Sequence, residues 1–371
     1  MEIKFNPGPN IRSGRSTKKI MLYLTCALLA VYLFGLQFYA RQGGFFLEQA
    51  ILLPLASVAT AVITECLYAL YYKKNVLSYL RTSFPWVTGL ILALCVPINT
   101  SIHAVVMACF VGIFFGKLVF GGFGQNLFNP AGVGRAIVLT AFTGARIVDV
   151  VSSATPTTTF ANHGWILSPQ DMQVFLNDFG GLKNLFIGNY FGALGETSTL
   201  VILVAAVVLS LLEVIDWYIP AFYLGTLFIS ALIIGAFNGM ALEYALFMVF
   251  TGGAAFSAVF MLTDPVTNPN TRAGKMVFAI LAAFLTALIR FKASLPEGVV
   301  FSILLVNILT PAIEKYFDGK STDREKKDAL TVAAVAVICI VGIVLIGLSL
   351  EPKAYTSVMQ TAAQLTGRIW L

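Results

Sequence analysis

Charge is what this chain has least of. Only 11% of its 371 residues are Asp, Glu, Lys or Arg, while 58% are hydrophobic. Soluble domains run near 25% charged, so the shortage excludes a soluble globule built around one buried core. Histidine is nearly absent as well. His103 and His163 stand alone, a poor basis for a metal centre. The five cysteines, Cys26, Cys66, Cys95, Cys109 and Cys339, each fall inside an apolar run and none forms a C-x-x-C pair. They read as small buried hydrophobes rather than redox pairs. No signal peptide is expected: the first 18 residues are polar and basic, the next run is too long for an h-region, and no A-x-A-like site follows.

What the chain has instead is long apolar runs and a mean hydropathy of +0.85. Runs of 17–25 residues are the length needed to cross a bilayer as helix. Spans are expected at 19–40, 47–71, 84–97, 101–119, 130–145, 196–213, 218–236, 241–262, 275–291, 296–314 and 330–350. The fold class is therefore an all-α polytopic membrane protein with 10–11 transmembrane helices. Span 84–97 is short enough to be tilted or partly re-entrant.

The basic residues orient these spans. With the N-terminus inside, 17 of the 24 Lys and Arg fall on inner segments and 7 on outer ones. The positive-inside rule then places the N-terminus in the cytoplasm and segment 146–195 outside. Orientation and contact with anionic lipid account for the basic clusters, and no nucleic-acid partner is expected. Glu65, Glu196, Glu213, Asp216, Glu243, Glu297 and Glu314 lie at or near spans and read as caps or interfacial groups.

Five spans precede the long outer segment and five follow it. Five is odd, so a tandem unit must be inverted, which places functional sites at the repeat interface near mid-membrane. A trace of such a repeat is visible: Gly89–Pro97 and Gly253–Pro265 are each a glycine-led apolar run closing on proline. The expected organisation is a cytoplasmic tail (1–18), a first membrane half (19–145), an extracytoplasmic segment (146–195), a second half (196–316), a charged linker (317–329) and a further helix with tail (330–371).

Three polar segments stand out. Gly116–Arg135 is a glycine-rich inner loop carrying Gln125, Asn126 and Asn129. Glycines let backbone approach a flat ligand, and amides both donate and accept. Thr263–Lys275 lies on the same side and carries Thr263 and Asp264, the latter an ionisable group near the membrane boundary. Both loops also read equally well as turns with helix caps. Asp149-Val-Val-Ser-Ser-Ala-Thr155 follows the fifth span directly. Ser152, Ser153 and Ala154 surround the Thr155 hydroxyl with little bulk, and Pro156 keeps Thr155 out of helix. As residues alone, these fit an ordinary polar loop.

Together these segments resemble the NqrB/RnfD family of respiratory redox pumps, over about residues 5–316. Phe115–Ala136 and Thr263-Asp-Pro-Val-Thr-Asn-Pro269 carry the resemblance, and the start Pro9–Met21 resembles the RnfD branch. The resemblance implies FMN joined to Thr155 by a phosphoester bond, with Asp149, Ser152, Ser153 and Ala154 as the attachment motif. Family members usually have glycine where Ser153 stands. It also implies a second, non-covalent flavin, riboflavin, with Gln125, Asn126, Asn129, Thr263 and Asp264 as contacts. A flavin transferase would be needed for maturation, and complex partners of the A, B, C, E and G type are expected. The implied activity is electron transfer between ferredoxin and NAD coupled to Na⁺ or H⁺ movement across a prokaryotic cytoplasmic membrane. Family members are usually described with ten helices, so 330–350 is an extra one. The rivals are the quinone-reducing sodium-pump branch of the same family and a non-redox inverted-repeat solute channel.

Overall fold

The computed structural model describes residues 16–142, 155–293, 298–318 and 324–355. Among these residues there are sixteen α-helices, one π-helical turn and no strand beyond two isolated bridges. The first half contains α1 (Thr17–Gln42), α2 (Gly44–Tyr71), α3 (Val76–Ser83), α4 (Pro85–Cys95), α5 (Ile102–Ile113) with its π-helical extension Phe114–Leu118, and α6 (Pro130–Ala141). Then come α7 (Pro156–Asn162), α8 (Pro169–Asp178) and α9 (Gly181–Ile187), all short. The second half contains α10 (Thr199–Leu211), α11 (Tyr218–Phe237), α12 (Ala241–Phe250), α13 (Ala254–Phe260), α14 (Arg272–Lys292) and α15 (Val299–Phe317), and α16 (Arg324–Leu348) follows.

The chain is a multi-pass membrane protein, and each expected span contains helix among its described residues. Six helices are long and apolar enough to cross a bilayer alone, and the bent pair α12–α13 makes a seventh. The remaining spans, α4, α5 with its extension, α6 and α10, are apolar but only 10–17 residues long. Span 84–97 ends early, at Cys95, and 241–262 is broken by a 49° bend. Segment 146–195, read as one long polar stretch, is built largely of α7–α9 in its described part. The extra helix α16 is no appendage: Gly342 packs on Phe284 of α14 and Gly347 on Ile234 of α11.

The breaks have local causes. Phe84 sits at φ +51° between α3 and α4, and Pro85 opens α4 at the position where a missing N–H costs nothing. Gly252 and Gly253, at φ +69° and +64°, separate α12 from α13. Only glycine reaches that region without penalty. In each half a left-handed residue thus precedes a short buried helix, α4 after Phe84 and α13 after Gly253.

These two short helices meet in the protein interior. Gly89 lets α4 approach α2 so closely that a Cβ there would lie 2.9 Å from Val58 Cα. Such small-residue contacts replace the missing hydrophobic drive between helices in lipid. At its far end, Leu94 accepts from Gly195 N–H at 2.8 Å and Pro97 pairs with Ala193. Cys95 Sγ lies 3.6 Å from Met261 Sδ, just beyond α13. Leu94, Cys95, Phe256 and Met261 are all buried, so the crossing is packed solid.

Candidate functional site

The two polar loops, 116–135 and 263–275, meet over one cleft. Its cavity volume is about 70 Å³, well short of the about 300–1,000 Å³ of ordinary ligand pockets, so a ligand of that size would extend through its open mouth. Its walls come from the α3–α4 break (Ser83, Phe84), the glycine-rich loop (Phe123, Asn126, Asn129) and the segment after α13 (Thr263, Asp264).

Lys117 forms the floor. It is 2% exposed, and its Nζ donates to Glu65 Oε1 at 2.6 Å and to the Ser83 carbonyl at 2.7 Å. The ammonium also lies 5.5 Å from the Phe123 ring centroid. Glu65 is fully buried, which corrects its reading as a cap or interfacial group: it faces the protein interior as the counter-charge of Lys117. A buried carboxylate keeps its charge only with such a partner. Its second oxygen, Oε2, is buried without a hydrogen-bond partner.

The expected site residues divide by what they do here. Asn126 is buried and lines the cleft, donating from Nδ2 to the Phe128 carbonyl. Asn129 lines it too, but its amide is committed. Oδ1 caps α6 by accepting from Ala131 N–H at 3.0 Å and Gly132 N–H at 3.1 Å, and Nδ2 donates to Met261 O at 3.1 Å. Asn129 is thus a clasp between the two loops, and Asn307 Oδ1 holds its backbone N–H at 3.1 Å. Thr263 lines the cleft and donates its hydroxyl to Val259 O. Asp264 is half-buried there, and Oδ1 accepts from Val266 N–H. Burial pushes its carboxyl above the usual range, against the opposing pull of that N–H and of Lys117. Gln125 is exposed and is not among the residues lining the cleft.

At the opposite ends of α4 and α13 stands a second cluster. Arg290 is 1% exposed. Its Nη1 donates to Met248 O at 3.0 Å, and its Nη2 donates to Thr251 O and Gly252 O, each at 3.3 Å. Trp165 offers its ring to the guanidinium at 5.4 Å. The parallel with Lys117 is close. In each half, a cation from the late part of the fourth span caps the carbonyls where the third span breaks. Those carbonyl ends carry partial negative charge that a cation stabilises. Glu196 provides the complement: a Cβ on Gly253 would lie 2.5 Å from its Oε1, so the carboxylate sits against the α13 N-terminal backbone. Counted by sequence position, Lys117 and Arg290 pass for solvent-side orienting charges. Their place in the last turn of an apolar span, inside its expected bounds, was the available signal.

Thr155 belongs to this second end. It is the N-cap of α7, where Oγ1 accepts from Thr158 N–H at 3.2 Å and lies 2.7 Å from Thr158 Oγ1. The residue is half-buried, and Thr157 of the same helix packs over Gly252. An ester at Oγ1 is compatible with this arrangement, since Thr158 can supply the hydroxyl proton and Oγ1 need only accept. Asp149, Ser152, Ser153 and Ala154 lie outside the described residues. α4 has 11 residues, so its rise separates the cleft from this end by about 16 Å.

Comparison with known proteins agrees with these features. The family described as NQR2, RnfD, RnfE matches residues 4–323. The chain is 33% identical over 321 residues to the D component of the proton-translocating ferredoxin:NAD(+) oxidoreductase complex of Clostridium ljungdahlii, covering 83% of this chain and 92% of that protein. It is 32% identical over 327 residues to the D component of the Na(+)-translocating ferredoxin:NAD(+) oxidoreductase complex of Acetobacterium woodii, covering 85% and 94%. It is 31% identical over 350 residues to the D component of the ion-translocating oxidoreductase complex of Stutzerimonas stutzeri, covering 86% and 96%. With both inner loops, both broken spans and the Thr155 helix inside the matched region, the chain belongs to the NQR2, RnfD, RnfE family.

Proposed function

We propose that this chain is the membrane flavoprotein subunit of an Rnf-type translocase, which passes electrons between ferredoxin and NAD while moving Na⁺ or H⁺. It is one part of that enzyme and not a complete enzyme alone. The family match over residues 4–323 carries this reading, with relatives named as the D component of such complexes.

FMN esterified to Thr155 and riboflavin in the inner cleft are the proposed cofactors. A bound flavin supplies electron chemistry that no side chain here offers. The chain's own residues would hold and orient it. At the cleft, the Lys117 ammonium and the Asn126 amide provide polar groups beneath a heteroatom edge, and Phe84 and Phe123 provide apolar walls. Glu65 does not line the cleft; it fixes the Lys117 ammonium from behind. Asn129 and Thr263 shape the cleft through their internal hydrogen bonds. At the outer end, Thr155 is the acceptor and the Asp149–Ala154 motif its recognition sequence for a flavin transferase.

The solid packing of Leu94, Cys95, Phe256 and Met261 between the two ends favours electron passage over a solute pore. Lys117, Arg135 and Arg290 are buried in protein and drop out of the orientation count, leaving 15 basic residues inside against 6 outside. The proposed setting is the prokaryotic cytoplasmic membrane, with the N-terminus inside, Thr155 outside, and partners of the A, B, C, E and G type. Thr155→Ala in the assembled complex tests the reading: ferredoxin-dependent NAD reduction and ion uptake should both fall. Unchanged ion transport in that variant would sink it.

A further inference from the structure

The C-terminal end of α2 carries a strained lysine. Lys73 sits at φ +54°, a conformation helix ends normally give to glycine. Lys73 N–H bonds Leu70 O at 3.0 Å and Lys74 N–H reaches back to Ala69 O at 2.8 Å, so the chain wraps tightly over the helix end. The wrap has a product. It carries Lys74 over three tyrosine rings, with Nζ 5.2 Å from the Tyr68 centroid, 5.6 Å from Tyr72 and 5.1 Å from Tyr79. Backbone strain of this kind persists where a function holds it.

Tyr68 and Tyr72 also wall a groove of about 570 Å³ between α2 and the α5 π-helical extension. Phe110 and Phe114 form its other wall, stacked 5.7 Å apart at 16°. Thr64 lies at its inner end, so the groove runs about 12 Å along α2. The lysines do not line the groove itself, but Lys74 Nζ stands over the Tyr68 and Tyr72 rings of its wall, with Lys73 exposed beside it in sequence, so an ammonium, aromatic rings and apolar wall adjoin one another. Neither flavin site uses it.

We propose that this groove binds an anionic glycerophospholipid, its phosphate at Lys73 and Lys74 and its acyl chains against Tyr68, Phe110 and Phe114. One such molecule carries both the negative charge and the apolar chains. A helix from another subunit would press Lys74 against apolar side chains unless it brought an acid of its own. The charge count places this end of α2 at the cytoplasmic leaflet, where anionic lipids concentrate.

The test is native mass spectrometry of the full chain, released from bilayers of equal phosphatidylglycerol and phosphatidylcholine. Wild type should retain phosphatidylglycerol selectively. Lys73→Gln and Lys74→Gln should each lower that preference about fivefold. Lys73→Gly keeps the left-handed turn while removing one charge, so the same loss there reports charge rather than misfolding. Equal retention of the two lipids by wild type, or an unchanged preference in the double glutamine variant, would overturn the proposal. So would a preference that vanishes in the assembled complex while Tyr71→Cys cross-links to a neighbouring subunit, since a protein helix would then be the occupant.

Discussion

Lys117→Met isolates the most consequential charge in the first half. The variant leaves Glu65 fully buried without its cation and removes the donor from Ser83 O. Removing one partner of a buried pair costs about 3–5 kcal/mol. Total stabilities are about 5–15 kcal/mol, so this is a large fraction. Removing both charges should be far milder, because well-packed apolar replacements of buried pairs are often neutral. Lys117→Met/Glu65→Leu should lie within about 1–2 kcal/mol of wild type, the remaining cost being that of the uncapped Ser83 carbonyl. The readout is thermal unfolding in detergent followed with a thiol-reactive dye, for which Cys95 and Cys109 are buried free thiols. A Lys117→Met variant as stable as wild type would refute the buried-pair argument. So would a double variant less stable than the single.

Other substitutions probe the second end and the cleft. Arg290→Met should destabilise by a similar few kcal/mol, since it strips donors from Met248, Thr251 and Gly252 carbonyls, while Arg290→Lys should recover part of the loss in the same assay. Gly253→Ala places a methyl at φ +64° and 2.5 Å from Glu196 Oε1, and should lower the unfolding temperature through about 1–2 kcal/mol of strain. Asp264 holds its proton more tightly in the folded chain, so its contribution is present below pH 3.8 and lost as pH rises through the raised native value. Asp264→Asn should therefore flatten that dependence and be the more stable form at pH 7, measured by unfolding at several pH values. Thr155→Ser keeps the α7 cap and should change stability little, whereas Thr155→Ala should cost about 1 kcal/mol.

The membrane fold was legible because a bilayer demands long apolar runs, and each expected span contains helix among its described residues. What the runs could not reveal was where helices break. Phe84 adopts a left-handed conformation that its side chain does not advertise, and Gly252-Gly253 looked like any small pair in an apolar run. The meeting of Asn126, Asn129, Thr263 and Asp264 over one cleft was anticipated by placing two polar loops on one side. Their division into lining groups and clasps was not, since Asn129's partners Met261 and Asn307 are more than 130 positions away. Lys117 and Glu65 are 52 apart, and Arg290 reaches carbonyls some 40 residues upstream. Charges inside spans are expensive enough to need partners, and that rule would have marked both cations for attention before any coordinates. Thr155 was legible only through its resemblance to a family motif. As a residue it is a helix cap, and chemistry at its hydroxyl is a separate claim.

That claim is central, and denaturing electrophoresis tests it most directly. The full chain, produced together with a flavin transferase, should run as a band that fluoresces as flavin under ultraviolet light. Thr155→Ala should run dark at the same position and level of expression. A dark wild-type band, or a Thr155→Ala band as bright as wild type, would contradict attachment at Thr155.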